Sequence, residues 1–356
     1  MPKPALRPTI TAAALALLAA AAVGVAVTPS DLGSSKLSTT QSKAGLASAE
    51  LQVERLEPSK VEMAQAVVSA AVRRAQNDAA LPPTTSPALG SDLAKSRADL
   101  GQCQYGEPHN DEGGILCERG DRGSSRTLVV LGDSHGRHWV PGLEKYATSH
   151  GWSAYFLVKE QCTAAIVANG DPAQARPTAP WAACQKFREW ALEVTQQLDP
   201  DVVIISTSTP TKGVFTSEGF KNTPESILGP YREGTRKLVT RLADTTDARI
   251  VMLRDVPARK IGTDPEPCFK KASNDQGDCL SPRDVQESRV RLISASVRAA
   301  KGAGAQIADP TLFFCWHGQC PVVVGPGLLP YRNTSHITVE YSRHLAPALG
   351  ELLQLG

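Results

Sequence analysis

Leu128-Val-Val-Leu-Gly-Asp-Ser-His135 is an apolar run that breaks at Gly132-Asp133-Ser134. Four consecutive apolar residues closed by a turn signal predict a short strand buried on both faces. The turn leaves a serine at the strand's end. Working outward, further strands are predicted at Trp152–Val158, Val202–Ser206, Ile250–Leu253 and Ala305–Ile307. Helical stretches separate them, at Val140–His150, Trp181–Leu198, Pro230–Thr245, Arg283–Lys301 and Val339–Gln354. Strands alternating with helices at this spacing predict an α/β fold, with a parallel sheet covered on both faces. In such sheets ligands bind beyond the carboxyl ends of the strands. Ser134, Thr207–Thr209 and Asp255 all follow strands closely and could share that rim.

A serine hydroxyl is a poor nucleophile at neutral pH until an imidazole takes its proton. Tyr331-Arg-Asn-Thr-Ser-His336 supplies a candidate, 202 residues after Ser134 and just before the last helix. The turn at Gly132–Ser134 would also aim backbone N–H groups at one point, where they could stabilise an oxyanion. The plainer readings are a strand-ending turn with Asp133 capping the next helix, and a surface histidine. His344 lies inside the predicted terminal helix, and His138 is near Ser134 only in sequence. Trp139, Trp181, Trp190 and Trp316 suit either core packing or stacking on a sugar. Trp316 is the one expected to be exposed near the site.

Eight cysteines fall into four local pairs: Cys103 with Cys117, Cys162 with Cys184, Cys268 with Cys279, and Cys315 with Cys320. An even number in an exported chain reads as disulfides, though spacing alone does not fix the pairing. The competing reading is a metal held by Cys315, His317 and Cys320, but no second Cys/His cluster completes a tetrahedral set. Export is suggested by the N-terminus. Met1–Pro8 is basic, and Ile10–Val27 is uncharged and apolar or small. This is a secretory signal or a membrane anchor, with Lys3 and Arg7 favouring the rest of the chain outside. Thr28–Ser42 reads as a linker. Ser59-Lys-Val-Glu62 forms a capping box for a helix with apolar residues at Val61, Ala64, Val67, Val68 and Ala71. That helix docks on the main domain or projects from the membrane, and docking is the expectation. The division is thus 1–27 signal or anchor, 28–99 linker and accessory helix, and 100–356 main domain. A formal charge of +2 with no dense Lys/Arg run argues against a nucleic-acid partner.

In order along the chain, Gly132-Asp-Ser-His135, Lys159-Glu-Gln-Cys162, Cys315…Cys320-Pro-Val-Val and Tyr331-Arg-Asn-Thr-Ser-His336-Ile-Thr338 resemble SGNH/GDSL hydrolases. The similarity is greater to the SGNH domain fused to acyltransferase-3 membrane proteins, and it spans about Gln102 to Leu352. The resemblance implies a flavodoxin-like three-layer α/β/α sandwich, the SGNH hydrolase fold. It implies Ser134 as nucleophile, with its own N–H as an oxyanion donor, and His336 as general base. No cofactor or metal is implied. The implied work is acyl transfer, often of acetyl groups, onto envelope polysaccharide. It would be done alone or with a separate membrane acyltransferase, outside the cytoplasm. Two departures stand out. The acid expected three residues before the histidine is Asn333. The asparagine of the third family block is absent, and Thr207 and Ser208 stand there as loop or oxyanion support, with Asp133 holding the nucleophile loop. Two functions follow: a serine O-acyltransferase or acylesterase, favoured by the intact serine and histidine, and a non-catalytic module binding envelope glycan or a membrane partner.

Overall fold

A computed structural model describes residues 57–105, 115–210, 212–271 and 273–356. The expected signal or anchor at 1–27 lies outside them. Among the described residues no helix is long and apolar enough to cross a membrane.

The apolar runs form one sheet of six strands. They are β1 Arg119–Gly120, β2 Thr127–Gly132, β3 Ser153–Val158, β4 Val202–Ser206, β5 Arg249–Leu253 and β6 Gln306–Ala308. Their order across the sheet is β1-β3-β2-β4-β5-β6. The short edge strand β1 runs antiparallel to β3, and every other pairing is parallel. The five parallel strands therefore follow the flavodoxin order 2-1-3-4-5, whose ligand crevice opens where the strand order reverses. That reversal lies at β2, the strand that ends at Ser134.

Side-chain alternation explains why both faces are covered. Leu128 and Val130 of β2 and Ile204 of β4 point into one apolar cluster. Val129, Leu131, Val203 and Ile205 point into the other. The first face is covered by α1 (Lys60–Gln76), α3 (Val140–His150), α7 (Val339–His344) and α8 (Ala346–Leu352), through Val68, Leu143, Tyr341 and Leu349. The second is covered by α4 (Ala182–Leu198) and α5 (Pro224–Thr245), through Phe187, Leu192, Leu238 and Leu242. α6 (Glu287–Gly302) packs beside α5. The remaining labelled helix, α2 (Ser134–Arg137), is a single turn at the end of β2.

Several boundaries differ from the sequence reading, for local reasons. α5 starts at Pro224, because Thr223 and Ser226 form a reciprocal cap that outweighs the interior Pro230. α6 starts at Glu287 rather than Arg283. The single terminal helix is two, divided at Leu345, with Pro347 in the first turn of α8. The capping box of α1 is present, and the helix lies against the main core through Val68 and Ala71. Trp139 is wholly buried in the core. Trp316 is half-buried, 4.9 Å beneath the Arg73 guanidinium of α1.

The neighbouring cysteines are joined as expected. Cys103 is bonded to Cys117, Cys162 to Cys184, Cys268 to Cys279, and Cys315 to Cys320. The thiols of Cys315 and Cys320, weighed as metal ligands, are therefore spent on each other. Each bridge closes a short loop, and three of them also fill core. Cys162 and Cys184 pack beside Phe187 under the second sheet face. Cys268 and Cys279 join Leu81, Leu93 and Val322 in a small satellite cluster, and Cys315 and Cys320 belong to the first core. The bridge from Cys103 to Cys117 spans residues 106–114, which lie outside the described ones. All eight cysteines thus have structural places, and none belongs to the candidate site described next.

Candidate active site

The Gly132–Ser134 turn is built where β2 and β4 end side by side. A Cβ on Gly132 would fall 1.9 Å from the Ser206 carbonyl oxygen, and one on Gly136 would fall 2.8 Å from it. Only glycine lets α2 turn this tightly over β4. Asp133 caps α2 and is 1 % exposed. Its carboxylate accepts the N–H groups of His135 at 2.8 Å and Ser208 at 2.9 Å, and the hydroxyls of Ser208 at 2.8 Å and Thr207 at 2.9 Å. Burial raises its affinity for a proton, against the His135 and Ser208 contacts. Thr207 and Ser208 thus hold Asp133, and with it the serine loop. Ser134 is half-buried at the first position of α2. A first-turn N–H has no partner within its own helix, so the Ser134 N–H is left for another acceptor.

The histidine loop is clamped at both ends. The Tyr331 hydroxyl donates to the Pro257 carbonyl at 2.7 Å, and the Thr338 hydroxyl caps α7. Between them Asn333 Oδ1 accepts the N–H groups of Ser335 and His336, each at 3.0 Å. Two backbone donors on one atom identify it as the oxygen of the amide. The same oxygen lies 3.1 Å from His336 Nδ1, so Nδ1 carries the proton. The lone pair of Nε2 then faces Ser134 Oγ at 2.9 Å. Ser134, His336 and Asn333, chosen from sequence, are therefore in one hydrogen-bonded line.

Beside this line stands a second network that the sequence did not reveal. His135 Nδ1 meets Asp255 Oδ1 at 2.6 Å, and Arg289 meets Asp255 Oδ2 at 2.5 Å. His135 and Asp255 are 3 % and 5 % exposed. Burial opposes ionisation of Asp255, but Arg289 and His135 outweigh it and hold the carboxyl below its usual range. The His135 and His336 rings lie 4.8 Å apart, and His138 lies 5.1 Å from His135 and 6.3 Å from His336. His138 is thus part of the site in space as well as in sequence. Neither of its ring nitrogens has a hydrogen-bond partner among the described residues. His344 stacks on Tyr341 within α7. A cue for His135 was its place next to the serine, and for Asp255 its place just past β5. No sequence cue marked Arg289.

His336 is pushed down to about 3, first by burial and then by the charges of His135 and Arg332, with Asp255 acting in the other direction. Its ring is therefore neutral over the whole physiological range, with the Nε2 lone pair unprotonated.

A flavodoxin-ordered sheet with a Ser–His pair at its carboxyl edge and a Gly-Asp-Ser turn defines the SGNH class of α/β proteins. The chain belongs to the SGNH domain family of the type fused to AT3 domains, whose model matches residues 102–351. Among solved structures it is similar to the periplasmic domain of a lipopolysaccharide acetyltransferase from Salmonella ser. Paratyphi A. The identity is 16%, covering 65% of this chain and 84% of that one, with a TM-score of 0.47. It is also similar to Est24, a carbohydrate acetylesterase from Sinorhizobium meliloti, at 16% identity over 65% of this chain and 99% of that one, with a TM-score of 0.39. No curated protein matches the chain.

Proposed function

We propose that this protein is an exported SGNH-type O-acyltransferase or acylesterase that acts on acyl groups, acetyl foremost, of cell-envelope carbohydrate. The observation behind this reading is the 2.9 Å contact from Ser134 Oγ to His336 Nε2 with the proton of the ring held on Nδ1. Oγ attacks the ester carbonyl and its proton passes to Nε2. The tetrahedral oxyanion is met by the Ser134 N–H. As the carbonyl re-forms, the carbon–oxygen bond to the leaving alcohol breaks, and His336 returns the proton to that alcohol. Acyl-Ser134 remains. A sugar hydroxyl then gives transfer, or water gives hydrolysis: His336 takes the proton of the attacking hydroxyl, the acyl–Oγ bond breaks, and His336 returns the proton to Oγ, restoring Ser134. Four disulfides support an oxidising, extracytoplasmic setting. A membrane acyltransferase is the partner we propose as acyl donor. Asn333 is the observation that favours the second reading, a glycan- or partner-binding module without turnover. Incubating the protein with a chromogenic acetyl ester separates the two. The enzyme reading expects an acetyl group on the Ser134 peptide by mass spectrometry, and its absence together with absent turnover leaves only the binding module.

Asn333 orients His336 but brings no charge to the imidazolium that forms during reaction. The acidic limb of kcat/KM should therefore lie well below the ordinary histidine value of 6.5, towards the value of about 3 held by the free protein. In Asn333→Asp the three donors on Oδ1 keep their acceptor, and a carboxylate arrives beside Nδ1. An adjacent opposite charge moves a pKa by ~1–3 units. The limb should move up in pH, and the plateau rate should rise about tenfold. A sharp fall in rate would show that the Asn333 amide nitrogen has a role of its own.

A further inference from the structure

Guanidinium groups gather on the side of the site where Arg332 acts on His336. Arg137 closes α2, three residues past Ser134, and is 5 % exposed. Its Nε donates to the Ala98 carbonyl at 2.8 Å and its Nη1 lies 3.3 Å from Glu160 Oε1. Arg97 meets that same oxygen at 2.9 Å. Arg332 adjoins Asn333, and its backbone N–H donates to the His336 carbonyl at 2.9 Å. Its side chain is half-buried and makes no hydrogen bond or ion pair with any described residue. Burial and the nearby Arg97 both weaken its hold on its proton, and only Glu160 opposes them. Asp99 also faces Arg137, but its Oδ1 accepts the Gly101 N–H. Among the described residues Arg97 and Arg137 thus share Glu160, and Arg332, in the histidine loop, has no bonded partner.

A half-buried guanidinium among like charges is costly unless an anion joins it. Its planar fork fits a carboxylate or phosphate with two parallel hydrogen bonds. We propose that Arg332, backed by Arg97 and Arg137, binds an anionic group of the carbohydrate whose ester or hydroxyl reacts at Ser134, so that the site selects acidic sugars. The assignment rests on the acyl-transfer reading above and adds the substrate class to it.

The test compares three acetylated glycosides with the full chain: a methyl glucuronoside, a glucose 6-phosphate and the neutral methyl glucoside. In the wild type kcat/KM for at least one anionic ester should exceed the neutral one by about 10–100-fold, the range of charge-assisted hydrogen bonds, and the excess should shrink in high salt. The first two arms tell carboxylate from phosphate. Arg332→Met should bring the ratio to about one, and Arg332→Lys should restore part of it. A ratio near one in the wild type, or a ratio unmoved by Arg332→Met, overturns the proposal. Acetyl-Ser134 forming without charge preference sinks this proposal alone. If no ester turns over, the acyl-transfer reading fails instead. Binding of unacetylated methyl glucuronoside and inorganic phosphate to the Ser134→Ala protein then decides: NMR shifts lost in Ser134→Ala/Arg332→Met uphold an anion site, and no Arg332-dependent shift overturns it.

Discussion

Ser134→Ala should lower turnover of an acetyl ester by about 10⁴–10⁶-fold, the range seen when the nucleophile of a serine–histidine unit is removed. Among the described residues, Ser134 Oγ is the hydroxyl that hydrogen-bonds His336 Nε2, at 2.9 Å. The Thr207 and Ser208 hydroxyls both donate to Asp133. His336→Ala should cost about as much as Ser134→Ala, and the double variant should cost no more than either, because the pair acts as one unit. Residual turnover comes from substrate binding and the Ser134 N–H, which alanine keeps. Steady-state assays on the three variants measure this. If Ser134→Ala kept more than about a tenth of wild-type turnover, the nucleophile would have to be another group. Additive losses would likewise place serine and histidine in separate roles.

The legible and illegible parts of this site divide along a physical line. β2, β3, β4 and β5 were readable because a strand buried on both faces must be apolar at every position, and such runs stand out. Ser134 and His336 were readable because their motifs occur in the order of a known family; each alone had a plainer reading, as a strand-ending turn or a surface histidine. The Asp255 network was not. Its contact with His135 joins residues 120 apart, and only the β2-β4-β5 pairing brings them together. The roles of Thr207 and Ser208 were equally open, since a hydroxyl serves a loop or an oxyanion alike until its acceptor is known. Helix starts were misjudged where a proline competed with a cap. At Thr223 the reciprocal hydrogen bonds with Ser226 decided the start, and Pro230 was absorbed as an interior residue.

Asp255→Ala should be the most destabilising single change in the site, at about 3–5 kcal/mol, because it strands buried partners rather than merely removing a contact. Asp255 is paired with both the His135 ring and the Arg289 guanidinium. Arg289 Nε already has no partner among the described residues, so losing the carboxylate would leave a half-buried cation poorly compensated. Urea denaturation at pH 7 should show a lower midpoint with an unchanged slope. Acid should erode the wild type through the same groups. Asp255 is held below its usual range, so its stabilisation is present above about 3.9 and is lost as pH falls through its folded value. His336 and His138 are pushed below 6.5, so their contribution is full above that value and declines as pH drops beneath it. Asp133, raised by burial, acts in the opposite sense. The decisive comparison is Asp255→Ala/Arg289→Met. If the penalty comes from the stranded guanidinium, removing both partners should recover part of the stability lost by removing one. A double variant less stable than Asp255→Ala, or a single-variant loss below about 1 kcal/mol, would mean that packing around Asp255, and not its charge, sustains this corner of the fold.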